Sequence, residues 1–371
     1  MDKKMYRRCE RCVMDNSDPN IIFDSNGFCN HCNDFFNKIS NEIYNGEESD
    51  KKLKNIITLI KSKGINHKYD SIIGVSGGVD SIYLCYLAKH WGLNPLAVHM
   101  DNGWNARVAV LNIKKALDIL GIDLYTVVLN WEEFKDLQLS FLKASVPEAE
   151  NPTDMAIQGV LHKIAAKHKI KFILSGGNYA TEGILPKRFQ YNPKDLKYLN
   201  SIHKKFGKVK LKDFPAFGFI QETYYKLFKK IKILYPLNLV PYNKKEAVKI
   251  LEDKLAWENY GGKHHESIYT KFIQSYYLPV KFNIDYRKAT YSTQICAGEI
   301  IRDDALAILK IPPYNSLELE KDKEYLSKKL AINIVELDSI LNLPPKTYKD
   351  YPNDEKRLEF IYKMYFLLYK K

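Results

Sequence analysis

Long apolar runs are missing from this chain. No window of its 371 residues approaches the uninterrupted apolar length of a membrane span. The opening residues, MDKKMYRRCERC, carry no apolar h-region, so no secretory signal is evident. The cytoplasm is the expected compartment, with no membrane insertion. Acidic residues are in deficit: 57 Lys and Arg against 44 Asp and Glu give a net charge of +13. That excess permits nucleic acid, an acidic membrane surface or small anions as partners, and selects none of them. Much of it lies in Lys187 to Lys232, where Lys pairs alternate with Tyr and Phe, a pattern that a solvated face explains equally well. Hydrophobic residues make up 45%, which excludes a disordered chain, and the length suits more than one domain.

Cysteine is scarce outside one segment. Four of the six fall in CERCVMDNSDPNIIFDSNGFCNHC, as Cys9, Cys12, Cys29 and Cys32, a C-x2-C-x16-C-x2-C arrangement. Two pairs at that separation suit a tetrahedral thiolate site with each pair on a tight turn. Asp18-Pro19 and Asn26-Gly27 are turn signals around Ile21-Ile22-Phe23, so a small zinc ribbon over 1–40 with structural Zn2+ is expected. Two disulfides are the rival in an oxidising compartment, and an iron–sulfur cluster is a further one. His31 is a possible substitute ligand. Cys85 and Cys296, the two left over, stand in apolar helical contexts and read as packing residues.

A lysine is lacking where a phosphate-binding loop would carry one. Ser71-Ile72-Ile73-Gly74-Val75 reads as a buried strand, Ser76-Gly77-Gly78-Val79-Asp80-Ser81 as a turn, and Ile82 to Trp91 as a helix. A glycine turn opening a helix cradles anions, because unpaired N–H groups and the helix dipole face outward there. A Walker A loop would follow its last glycine with Lys; this one offers Asp80. Charge neutralisation then falls largely to Mg2+, with Asp80 and Glu182 as its acidic contacts. Glu42 to Lys63 reads as a linking helix, Leu96 to His99 as a second strand ending in the polar turn Asp101-Asn102-Gly103, and Arg107 to Leu120 as a helix. Leu124 to Leu129 follows as a third strand, Met155 to His168 as a helix, and KFILSGGNYATEG as a fourth strand with its own glycine turn. This alternation predicts an α/β doubly wound parallel sheet over 41–245, followed by a mostly helical region over 246–371. All three polar turns (76–81, 101–103 and 175–182) follow strands, so they belong at one edge of the sheet.

SGGVDS resembles the signature loop of the PP-loop ATP pyrophosphatases in every fixed position. Together with the cysteine segment, HMDNGWN, SGGNYATEG, YGGKHHESIYTKFIQSYYLP and DYRKATYSTQICAGEIIRDDAL, it resembles one branch of that superfamily. These are the N-acetyl sugar amidotransferases, the WbpG/PseA-like enzymes of surface-polysaccharide and nonulosonic acid biosynthesis. The resemblance spans residues 7 to about 306.

The resemblance implies cleavage of ATP to AMP and pyrophosphate. The loop would hold the leaving pyrophosphate while a sugar acetamido oxygen is adenylated and ammonia displaces AMP, giving an acetamidino group. Implied ATP contacts are Ser76, Gly77, Gly78, Asp80, Ser81, His99, Asp101, Asn102, Gly176, Gly177, Asn178 and Glu182. Asp80 and Ser81, with Lys263, His264 and His265 of GGKHHES, are the candidate catalytic groups; Glu266, Arg287 and Arg302 are the candidates for the sugar. No glutaminase segment is visible. Ammonia is therefore expected from a partner pair resembling the glutaminase and cyclase subunits of imidazole glycerol phosphate synthase. The substrate would be an acetamido sugar or sugar nucleotide. The competing expectation is a tRNA-modifying PP-loop enzyme, a thiolase or lysidine synthase, for which the net charge and the Lys/aromatic stretch would track a phosphate backbone. Nucleic acid is a partner only under that alternative. A non-enzymatic zinc-ribbon adaptor is a third class, which the intact SGGVDS disfavours.

Overall fold

The computed structural model describes residues 5–39, 42–261 and 266–369. Its centre is a five-stranded, all-parallel sheet: β1 (Ser71–Gly74), β2 (Pro95–Asp101), β3 (Leu124–Val128), β4 (Phe172–Leu174) and β5 (Lys232–Leu234). The strand order is β3-β2-β1-β4-β5. From β1 the chain winds outward through β2 to β3, then returns to pair β4 on the other side of β1. The order therefore switches between β1 and β4, which is where ligands bind in such sheets. The Ser76–Ser81 turn follows β1, and Ser175-Gly176-Gly177-Asn178 follows β4. The two glycine turns flank the switch.

Successive residues of β1 face opposite ways, as a strand requires. Ile72 joins one core with Leu96, Val98, Ile173, Phe134 and Val160. Ile73 joins another with Ala97, Leu174, Ile82, Cys85, Ile113 and Leu251. Both faces of the sheet are thus covered by helices, which explains why β1 reads as continuously apolar. The helices Arg107–Leu120 and Asn151–Lys167 lie where the periodicity puts them, the second starting four residues earlier than expected. The linking helix starts at Glu47 and not at Glu42.

The ribbon does not stand apart. Its four cysteines share a core with Tyr269, Phe272, Tyr277 and Ala289 from the helical C-terminal region. Val13 N donates to Ser292 Oγ at 3.2 Å. Lys288 Nζ lies 2.7 Å from the carboxylate of Asp15. Burial alone would raise Asp15, yet hydrogen bonds from Lys288 and Ser17 hold its carboxyl below the usual range. The first and last thirds of the sequence close on each other around the sheet.

Candidate functional site

Two features force the shape of the first glycine turn. Gly77 sits at φ +88, and a Cβ there would lie 2.5 Å from the carbonyl oxygen of Ala109, so only glycine fits. Gly176 of the second turn brings its backbone against Asp80 and Ser81, where a Cβ would stand 3.0 Å from Ser81 N. The loop braces itself from within. Ser81 Oγ donates to Gly78 O at 3.1 Å and accepts from Ser76 N at 3.4 Å, and Gly78 N donates to Ser76 Oγ at 3.2 Å. Trp257 clamps it from outside, its indole N–H donating to Gly77 O at 2.9 Å. Gly78 opens the helix Val79–His90 as its N-cap, with Asp80 in the first turn.

The loop borders a cavity of 260 Å³ lined by Ser76, Gly78, Asp80, Ser81, Gly176, Gly177, Glu182, Lys244, Tyr260 and Glu266, among others. A larger cavity of 1110 Å³ shares Ser76, Gly176, Glu182, Lys244 and Glu266 with it, then runs past His99, Asn102, Glu148 and Arg287. The two form a continuous cleft over the switch point. Asp80 accepts the hydroxyl of Tyr242; burial and the Asp80 carboxylate drive that phenol's pKa well upward. Glu299 lies close enough to feel Asp80. Burial pushes its carboxyl up, with Lys244 opposing and Asp80 adding to the shift, and its Oε1 has no hydrogen-bond partner among the described residues.

His99 is fixed by its neighbours. Nδ1 lies 2.9 Å from the carbonyl oxygen of Val75 and must donate there, leaving Nε2 to accept from Asn105 Nδ2 at 3.2 Å. The ring borders the larger cavity.

The structure sorts the residues singled out from sequence. Ser76, Gly78, Asp80, Ser81, Gly176, Gly177, Glu182 and Glu266 meet at the smaller cavity, and His99, Asn102 and Arg287 at the larger. Gly77, Asp101 and Asn178 line neither. Asp101 closes its own turn by accepting from Gly103 N at 2.9 Å, and Asn178 caps a short helix by accepting from Thr181 N at 2.9 Å. Arg302 is elsewhere: its guanidinium donates to the carbonyls of Cys12 at 3.1 Å and Cys9 at 2.9 Å. It fastens the ribbon and lines neither cavity. Lys263, His264 and His265 lie outside the described residues. Sequence reading missed Lys244, Tyr242, Trp257, Tyr260 and Glu299. Lys244, which opens the helix Lys244–Leu255, supplies at the cavity wall the cation that the loop itself lacks.

The second site is the cysteine cluster. All four Sγ atoms are buried and lie within 4.8 Å of one another. Cys9–Cys32, Cys12–Cys29 and Cys29–Cys32 are each 3.6 Å apart. A disulfide would need roughly 2 Å, while four thiolates around one zinc at about 2.3 Å stand about 3.8 Å from one another. The donor set therefore fits one four-coordinate ion such as zinc. Backbone N–H groups already point at the sulfurs, with Cys29 N 3.1 Å from Cys9 Sγ. His31 is not a ligand here; its Nε2 pairs with Asp18 at 2.7 Å. Cys296 is partly buried and its thiol neighbours Cys32, which with burial raises its pKa far above the ordinary value. Cys85 is fully buried, and burial pushes it up to about 12. Neither spare thiol has a setting that makes a thiolate.

Residues 266–365 match the family described as LPS biosynthesis protein WbpG-like, C-terminal domain. The C-terminal region is WbpG-like. Among curated proteins, the chain is 30% identical over 158 residues to a probable mitochondrial tRNA-specific 2-thiouridylase 1 of Caenorhabditis elegans, covering 38% of this chain and 40% of that protein. It is 40% identical over 80 residues to a glutamine-hydrolysing GMP synthase of Dictyostelium discoideum, covering 21% of this chain and 11% of that one. The chain thus spans 40% and 11% of the length of these two relatives. Among solved structures, the U34-tRNA thiolase NcsA of Methanococcus maripaludis with its [4Fe-4S] cluster aligns over 82% of this chain and 88% of its own, with 14% identity and a TM-score of 0.34. The WbpG-like region begins at Glu266, whose carbonyl accepts from Ala106 N at 2.8 Å while Ile268 N donates to Trp104 O at 3.0 Å. It is therefore stitched to the loop after β2.

Proposed function

We propose that this chain is an ATP-dependent, AMP-forming amidotransferase that converts a sugar acetamido group to an acetamidino group. One observation carries the reading. The WbpG-like region supplies Glu266 and Arg287 to the walls of the same cleft that the SGGVDS loop and Lys244 border.

An amide oxygen leaves poorly; as part of AMP it leaves readily. The acetamido oxygen would attack the α-phosphorus of ATP, breaking the bond to the β-phosphate and releasing pyrophosphate at the Ser76–Ser81 loop. Ammonia would then add to the activated carbon, lose a proton, and expel AMP. Lys244 and the N-terminus of the helix Val79–His90 would hold the departing pyrophosphate. The residues present also fit a magnesium ion: Asp80 and Glu182 offer oxygens at the cavity wall, and Glu299 keeps an unpaired oxygen beside Asp80. When bound, Mg2+ would neutralise phosphate charge. His99, held by Val75 O and Asn105, and Arg287, whose Nε and Nη2 are held by Asp285 at 2.8–3.2 Å, would shape the larger cavity for the sugar.

The test incubates the purified protein with ATP, Mg2+, ammonium and a panel of acetamido sugar nucleotides and nonulosonic acids. AMP and pyrophosphate should appear together with a product about one mass unit lighter. ADP as the nucleotide product would overturn the PP-loop chemistry. The likeness to a tRNA 2-thiouridylase favours one second reading, tRNA modification; conversion of no acetamido sugar alongside modification of tRNA would establish it.

A further inference from the structure

The helical segment 219–228, between the two Lys-rich ends of the sequence stretch noted above, exposes an apolar stripe. Ile220 is 76% exposed, Tyr224 44%, Leu227 48% and Phe228 74%. The α-helical turn Phe219–Thr223 continues as the π-helical turn Tyr224–Phe228, and all four side chains are exposed along it. The opposite face is anchored. Tyr225 stacks on Phe217 at 6.2 Å and lies 5.4 Å from the ring of His162, and Ile231 N donates to Tyr225 O at 3.0 Å. The stripe is therefore rigidly presented outward, with Tyr224 and Phe228 stacked at 5.9 Å.

Its surroundings are basic. Lys226, Lys229, Lys230 and Lys232 are all exposed beside it, and Lys229 Nζ stands 5.5 Å from the Tyr224 ring centroid. The single acid of the segment, Glu222, is taken by Lys194 at 2.6 Å and by the hydroxyl of Tyr362 at 3.3 Å. An apolar face this exposed on a folded protein marks an interaction surface. Four lysines on one edge repel a second copy of themselves, the aliphatic tips of Ile220 and Leu227 gain nothing from phosphates or bases, and Tyr224 and Phe228 already stack on each other. An exposed stripe of large apolar residues rimmed by lysines matches an interfacial amphipathic segment, in which the tips enter the acyl boundary and the cations meet lipid phosphates.

We propose that Ile220, Tyr224, Leu227 and Phe228, with their lysine rim, dock this protein reversibly on an anionic lipid surface. The proposal goes beyond the reaction and is independent of it. The experiment is sedimentation of the full chain with vesicles of phosphatidylglycerol and phosphatidylethanolamine, against phosphatidylcholine alone, at low and high salt. The wild type should pellet with the anionic vesicles, with binding weakened by salt and at least tenfold lower on phosphatidylcholine. The double variant Ile220→Ser, Phe228→Ser and the double variant Lys229→Glu, Lys230→Glu should each lower the bound fraction at least tenfold. Their thermal unfolding should match the wild type, since all four side chains are exposed. Absence of wild-type binding at low salt, or equal binding by both variants, would overturn the proposal. So would concentration-dependent dimerisation in sedimentation velocity that the serine variant abolishes, which would give the stripe to a second copy.

Discussion

Glu148 illustrates how much one buried carboxyl can weigh on the molecule. It is 6% exposed, accepts the hydroxyl of Tyr198 at 3.0 Å, and lines the larger cavity. Burial pushes it up to about 7 from 4.5. Between those values the native state holds a proton that the unfolded chain has lost. Stability must therefore fall as pH rises through that window, by about 3 kcal/mol in all, and the loss is complete above pH 7. Glu148→Gln keeps an acceptor for Tyr198 and removes the titration. Denaturant midpoints measured from pH 4.5 to 8 should slope downward for the wild type and flatten for the variant; equal slopes would refute the assignment. Lys244 makes a prediction of another kind. If it holds phosphate charge, Lys244→Gln should raise the KM for ATP about tenfold, which corresponds to about 1.4 kcal/mol, with little change in melting temperature. A variant with wild-type KM would remove Lys244 from the ATP site.

The ribbon is the element whose energetics are easiest to isolate. Four thiolates close the coordination of one ion and leave no position for water, so a bound zinc there would be structural. One zinc per chain is expected, and its removal by a chelator should lower the melting temperature and loosen the contacts to Ser292 and Arg302. Metal analysis finding iron with visible absorbance, or no metal, would contradict this. Arg302→Ala leaves two knuckle carbonyls without a donor, an expected cost of about 1–3 kcal/mol, while the KM for the sugar should stay unchanged. A raised KM with unaltered stability would return Arg302 to the substrate. This residue shows where sequence reading stops. Periodicity and glycine turns located β1 to β4 because each signal lies within a dozen neighbouring residues. The three-residue β5, starting with an exposed lysine, carries no such local signal. Trp257 and Tyr242 reach the glycine loop across 180 and 162 positions of sequence, so only the folded chain shows that they belong to it. Asp101 and Asn178 sit in the polar turns as expected, and their side chains accept hydrogen bonds from Gly103 N and Thr181 N.

At the scale of the whole molecule, the question is where nitrogen comes from. Glutamine-dependent enzymes need a reactive thiolate or an equivalent nucleophile to release ammonia. Here four cysteines are committed to the ribbon, Cys85 is fully buried and Cys296 rests against Cys32. Cleft and core engage both ends of the chain, since the WbpG-like region walls the cleft and packs on the ribbon. Under the proposed reaction, we infer that ammonia is supplied by a separate glutaminase. With ATP and an acetamido sugar, glutamine alone should give no product, whereas high ammonium at alkaline pH should, because more of it is then neutral and nucleophilic. Adding a glutaminase and cyclase pair should restore the use of glutamine near neutral pH. Mass spectrometry reads the outcome directly, through a mass lower by about one unit and a new basic group, the amidine being protonated at neutral pH. Efficient conversion with glutamine by this chain alone would show that the partner is not needed and that a nucleophile has been overlooked.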